Sequence, residues 1–254
     1  MRYNSHFMQT GRWTFQPGVV PTLATLALFP LLLALGFWQL ERADQKQQMF
    51  DAYVARTGLS PIDLNQEISL REAGDAMLWR QCVVSGHYTG GEVFLLDNQV
   101  LKGVPGYFVF TPFVIDGTDT WIMVNRGWVP AGNYRDELPE VLTPEGSVVV
   151  NGAIHPFPAA TMLLGGETAE QVGPGISRMQ TMDPGVLEDT LNHKLLPYVI
   201  LLAASSPTGY VREWPVPGSG MERHMGYAFQ WFALAAVLMI IFLSVNLRTG
   251  QSNE

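Results

Sequence analysis

Residues 19–40, VVPTLATLALFPLLLALGFWQL, and residues 226–247, GYAFQWFALAAVLMIIFLSVNL, are 22 residues each and contain no Asp, Glu, Lys or Arg. An α-helix rises about 1.5 Å per residue, so each run reaches roughly 33 Å, enough to cross the hydrocarbon core of a bilayer. Together they predict a membrane hairpin. Both termini lie on one side, and the 185 residues between the spans (41–225) lie on the other. In such a hairpin the inner ends of the two spans meet at one bilayer boundary. The first run is longer than a signal-peptide core and matches a cleavage site poorly at Ala34-Leu35-Gly36, so it reads as a retained anchor. Pro30 removes one backbone hydrogen bond within it and predicts a bend.

Hydrophobic residues make up 47% of the chain and charged residues 15%, as expected when two spans dilute one water-facing domain. The segment between the spans carries 12 Lys and Arg against 22 Asp and Glu, a net charge of −10. That balance argues against nucleic acid as a partner and against close docking of the domain on anionic lipid. Arg2 and Arg12 precede the first span and Arg248 follows the second, which favours cytoplasmic termini, 1–18 and 248–254. Arg42, Lys46 and Arg56 on the domain side weaken that preference. Cys82 is the only cysteine, so neither an intramolecular disulfide, nor a CxxC redox pair, nor a dithiol copper site is possible.

Residues 41–57 continue the first span as a polar helix, and 59–74 read as loop and short turn. Strand-like runs, rich in Val, Ile, Phe and Tyr, cover 80–89, 92–98, 107–115, 120–125, 148–155 and 198–203. Asp116-Gly-Thr-Asp119 marks a hairpin connection. The Gly- and Pro-rich stretch 156–177 predicts a long surface loop. Asp183-Pro184 opens a short helix reaching His193, with Asp183 as N-cap and Pro184 in the first turn. The expected fold is two transmembrane helices (19–40 and 226–247) enclosing a β-rich, α+β domain (41–225), an antiparallel sheet or partly closed barrel.

The richest local pattern is His224-Met-Gly-Tyr-Ala-Phe-Gln-Trp231-Phe, at the entry to the second span. His224, Tyr227 and Trp231 follow i, i+3, i+7 spacing and share a helix face. A neutral imidazole is a good axial ligand for haem iron, and aromatic rings suit the faces of a flat macrocycle. The same residues also suit an interfacial anchor. The first span ends in Gly36-Phe-Trp38-Gln39-Leu-Glu-Arg42, where Trp38 and Arg42 share a face that Lys46 extends. Such cations hold carboxylates, a haem propionate among them, or else lipid phosphates. Met179-x-x-Met182 and Met221-x-x-His224-Met225 offer thioethers to Cu(I), or serve as apolar filler. His87, His155 and His193 have no neighbours at metal-ligand spacing, and Arg126 ends a strand at a glycine turn. No nucleophile elbow, HExxH, P-loop or dinucleotide fingerprint is present, which favours a protein that is not an enzyme.

Four motifs occur in order inside the hairpin: Gly36-x-Trp38-Gln39-x-x-Arg42, Gly106-x-x-x-x-Thr111-Pro112-Phe113, Val124-Asn-Arg-Gly-Trp-Val-Pro130 and His224-x-x-Tyr227-x-x-x-Trp231. On them, from about residue 31 to 247, the chain resembles the Surfeit locus protein 1 family of cytochrome oxidase assembly factors. The resemblance implies a chaperone-like, multi-pass protein of the cell inner membrane that serves the respiratory chain, with its central domain in the periplasm. It implies haem a as a transient cofactor, with His224 as the proposed iron ligand, and help in inserting that haem into subunit I of a haem-copper oxidase. Haem a synthase is a further candidate partner, and membrane lipid surrounds the spans. The residue pattern adds Tyr227, Trp231, Trp38 and Arg42 to the expected cofactor site. Two positions depart from the family pattern. Met221-Glu222-Arg223 stands where many relatives carry an Asn shortly before the His, and Gln45 where many have a Trp before the Lys matching Lys46. A scaffold that never ligates haem, and copper delivery, are the alternative functions.

Overall fold

The computed structural model describes residues 13–66, 74–135, 137–158 and 169–249. In chain order the elements are β1 (Trp13–Phe15), α1 (Val19–Thr57), β2 (Ile62–Asp63), β3 (Gln81–Tyr88), β4 (Val93–Leu101), β5 (Val104–Ile115) and β6 (Trp121–Pro130). They continue with β7 (Val148–Pro156), β8 (Ala169–Gly173), β9 (Ile176–Met179), α2 (Pro184–Leu191), β10 (Leu195–Leu202), α3 (Met221–Asn246) and β11 (Leu247–Thr249). They form two compact units. A helical unit holds the residues up to Phe50 and from Pro217 on, and a β unit holds Asp51–Val216.

In the helical unit, α1 and α3 carry the two apolar runs, and only 11% of the most apolar stretch of each is buried. Apolar side chains turned outward on helices of 39 and 26 residues suit lipid, not the core of a soluble protein. The buried line combines small residues, Gly36 and Ala43 on α1 and Ala228 and Ala235 on α3, with the polar Thr25, Gln39 and Asn246. Small side chains let two backbones approach closely inside a membrane, where there is little hydrophobic drive between helices. At Gly36 the fit is tight, for an added Cβ would come within 2.6 Å of the Phe232 ring. That ring packs edge-on against Phe37, with centroids 5.3 Å apart. At the other end of the seam, β1 pairs antiparallel with β11. Buried Asn246 is satisfied there, accepting from the Gly18 N–H at 2.9 Å and donating to the Phe242 carbonyl at 2.6 Å.

The β unit is built on a closed five-stranded barrel in the order β3-β7-β10-β6-β5, with β5 returning to pair with β3. Barrel neighbours are antiparallel except β6 and β10, which run parallel. One core joins Val84, Phe113, Ile122, Ile154 and Ile200, a side chain from each of the five strands. β6 is buried on both faces. Ile122 joins this core, while its neighbour Met123 joins a second with Phe94, Phe110, Met179 and Leu187. Beyond β5 the sheet continues through β4, β9 and β8, and β2 pairs with β3. The α2 helix starts as its sequence predicts, with the Asp183 carboxylate accepting from the Gly185 and Val186 N–H groups and Pro184 in the first turn.

Two expectations need correction. The stretch 156–177 is not one long loop: β7 extends to Pro156, and β8 and the start of β9 occupy its second half, while 159–168 lie outside the described residues. The β8 sequence, Ala-Glu-Gln-Val-Gly, forms a largely exposed edge strand, so it lacks the apolar alternation that marks a half-buried one. Likewise Arg126 does not end a strand. β6 runs on to Pro130, and the glycine beside Arg126 belongs to an irregularity where the β5–β6 register shifts.

Candidate functional site

The chain reaches α3 through a turn at 217–220. Gly218 adopts φ +76°, and a Cβ there would lie 2.3 Å from the Lys46 carbonyl oxygen. A side chain is excluded on both counts, so the turn seats directly on α1. One helical turn later His224 meets Gln39, with Nδ1 2.8 Å from Oε1. Gln39 is 9% exposed, near the end of an apolar run. An amide buried there without a partner would be costly, and the imidazole removes that cost.

The pairing also decides which ring nitrogen is left available. With the amide oxygen as acceptor, Nδ1 carries the proton and Nε2 keeps its lone pair. Imidazoles that ligate metals are held in this way, by an acceptor on the nitrogen away from the metal. Among the described residues His224 makes no other protein hydrogen bond. Further along α3, Tyr227 is exposed and Trp231 half-buried.

Trp38 and Arg42 form a separate group. Each precedes a buried seam residue, Gln39 or Ala43, and therefore sits about 100° around the helix from it. The Arg42 guanidinium lies 6.0 Å from the Trp38 ring centroid, and its Nη1 donates to Gln45 Oε1 at 3.0 Å. The structure thus joins His224 to Gln39 and Arg42 to Trp38. No hydrogen bond or ion pair links the two pairs among the described residues.

An imidazole held at one nitrogen by an amide, with Tyr227 and Trp231 further along the same helix, suits a metal that arrives already held in a macrocycle. A bare ion would need several protein ligands. Among the described residues there is no group of three or more His, Cys, Asp or Glu placed to hold one. The methionine pairs divide. Met179 and Met182 are fully buried filler beside Phe94, Phe110 and Leu187, while Met225 is half-exposed on α3. His87 faces Asp116 at 3.6 Å, and His193 stacks on Trp121 at 4.1 Å. His155 packs edge-on against Trp79 at 4.5 Å, and burial pushes its pKa down to about 4. Burial likewise pushes the Cys82 thiol up to about 12. The partner role of Gln39 escaped the sequence reading. Its one signal was a lone amide in an otherwise apolar run.

Two membrane-length helices, joined by an imidazole–amide pair and separated in sequence by a β-barrel unit, define a class of barrel-bearing membrane proteins. The SURF1 family model matches residues 26–236, a span that includes Gln39, His224 and Trp231, and the chain belongs to the SURF1 family. It is 25% identical over 228 residues to a SURF1-like protein of Rickettsia felis, covering 87% of this chain and 94% of that one. It is 23% identical over 244 residues to a SURF1-like protein of Caenorhabditis briggsae, covering 87% and 74%. It is also 30% identical over 95 residues to the cytochrome oxidase assembly protein SHY1 of Saccharomyces cerevisiae, covering 37% of this chain and 24% of the yeast protein. The yeast match thus spans about a quarter of its relative's length, whereas the Rickettsia match spans nearly all. Family and helices together make this a membrane protein.

Proposed function

We propose that this protein is an assembly factor for a haem-copper cytochrome oxidase, and that it binds haem a at His224 and assists its insertion into subunit I. The observation that carries the reading is the 2.8 Å contact between His224 Nδ1 and Gln39, which leaves Nε2 without a protein partner among the described residues. The name of the yeast relative supports the assembly role. In this reading the spans sit in the cell inner membrane, the β unit is periplasmic, and haem a synthase is the source of the cofactor. When bound, haem a supplies an iron that accepts the Nε2 lone pair. Gln39 orients the imidazole, Tyr227 and Trp231 follow it along the same helix, and the exposed Arg42 supplies a cation for a propionate. Nothing in this role requires catalysis: the protein holds a group and gives it up.

The test is the absorption spectrum of full-length protein purified from cells that make haem a, beside a His224→Ala variant. The expected result is near-stoichiometric haem in the wild type and its loss in the variant, with membrane insertion unchanged. Haem-free wild type, or an unchanged spectrum in the variant, overturns the reading. A second reading, a scaffold that stabilises oxidase intermediates without ligating haem, is favoured by the β unit having a closed barrel and core of its own.

A further inference from the structure

Arg126 lies on β6 and is 3% exposed. Its Nη2 donates to the Leu142 carbonyl at 2.6 Å, but Nε and Nη1 are buried with no hydrogen-bond partner among the described residues. No carboxylate lies within ion-pair distance among the described residues. The guanidinium instead lies over two rings, with its carbon 5.2 Å from the Tyr88 centroid and 5.3 Å from that of Tyr210. Tyr210 is fixed in turn by its N–H bond to the Arg126 carbonyl at 2.8 Å. Beside the guanidinium is a cavity of about 340 Å³, walled by Leu142, Thr143, Pro144, Thr208 and Tyr210. A cation taken out of water with unfilled donors is costly, and buried charges are ordinarily paired.

We propose that Arg126 is the anchor of a carboxylate-binding site on the β unit, with the ligand group entering the cavity between 142–144 and Thr208. The unpaired Nε and Nη1 groups are charged donors in need of an acceptor, and a carboxylate oxygen entering beside them would supply one. A phosphate dianion would meet a single cation in a segment of net charge −10, whereas one carboxylate balances one guanidinium. The Tyr88 hydroxyl is buried and also lacks a partner among the described residues. Burial holds its pKa at about 12 despite the opposing pull of Arg126, so it stays protonated. The site belongs wholly to the β unit and does not depend on haem binding at His224.

The test uses the full-length protein in detergent. Its thermal midpoint is followed in sodium acetate against sodium chloride of equal ionic strength, and with the blocked peptide Gly-Glu-Gly against Gly-Gln-Gly. General salting effects act on every variant, so the signal is the difference between wild type and Arg126→Met, with Arg126→Lys as a second variant that keeps a cation. The wild type should be stabilised by carboxylate, Arg126→Met should lose that response, and Arg126→Lys should need about 10- to 100-fold more ligand. Response to acetate places small carboxylates at the site, and response to the glutamyl peptide alone places a side chain of a partner there. Equal response in Arg126→Met, or no carboxylate-specific response in the wild type, overturns the proposal. His224→Ala should leave the response intact.

Discussion

Gln39 is as informative a position as His224, because in the proposed haem site it would hold the imidazole without touching the iron. Gln39→Leu puts an apolar side chain of similar size in the seam but leaves Nδ1 without an acceptor. Bound haem should weaken by about 10- to 100-fold, the usual effect of losing a partner that orients a metal-ligating His. Thermal stability should change by only about 1 kcal/mol, the net worth of one ordinary hydrogen bond. Haem titration and thermal unfolding of the same preparation check both numbers, and unchanged haem affinity would separate the pair from binding. His155 gives a pH prediction of a different kind. Its pKa falls from 6.5 to about 4 through burial, so the unfolded chain binds the proton first as pH drops. Stability contributed by the neutral ring is therefore present above pH 6.5 and is lost on acidification toward pH 4, by about 3 kcal/mol in all. Denaturation midpoints across that window should show the slope in the wild type and not in His155→Phe. Cys82, buried and with its thiol pushed up to about 12, should resist alkylation at neutral pH until the protein unfolds.

The α1–α3 seam shows what sequence reveals at the level of elements. Both spans, the polar extension of α1 and the barrel strands were legible, because each is a run of one chemical character whose pattern is local. The Gln39–His224 bond was not, since its partners are 185 positions apart and pair only after α1 and α3 have packed. Nor was β8, whose polar edge-strand sequence resembles a loop. Trp38, Arg42 and His224 all sit at inner ends of spans, yet the helical phase of Trp38 and Arg42 keeps them off the seam, a distinction that spacing within one helix cannot make. Packing of the seam rests on Gly36. Gly36→Val would force branched carbons into the space of the Phe232 ring, which is already committed to Phe37. The expected cost is about 1–3 kcal/mol in unfolding free energy. Weaker haem binding should accompany it as the two helices move apart. Adding Phe232→Ala should recover much of both, and a failure to recover would place the damage outside this contact.

For the whole chain, the division into a helical unit and a β unit separates the two functional readings experimentally. Gln39, His224, Trp231 and the seam that aligns them all belong to the helical unit, whereas Arg126 and its tyrosines belong to the β unit. Gly218 packs against Phe50, so the helical unit presents its two junctions, after Phe50 and before Pro217, next to each other. A different soluble domain with adjacent termini is therefore a geometrically acceptable replacement for Asp51–Val216. In such a chimera the haem content should stay within a few-fold of the wild type, because every proposed contact to haem is retained. Oxidase activity of the host strain should fall to that of the deletion strain if the β unit docks the partner that receives the haem. Haem spectra and oxidase activity of one strain read the two outcomes separately. Survival of oxidase assembly would remove the scaffold reading, since the β unit on which it rests would be gone. Loss of haem from a chimera that still inserts into the membrane would mean that the β unit contributes to the haem site, and the assignment to His224 and the helix seam alone would fail.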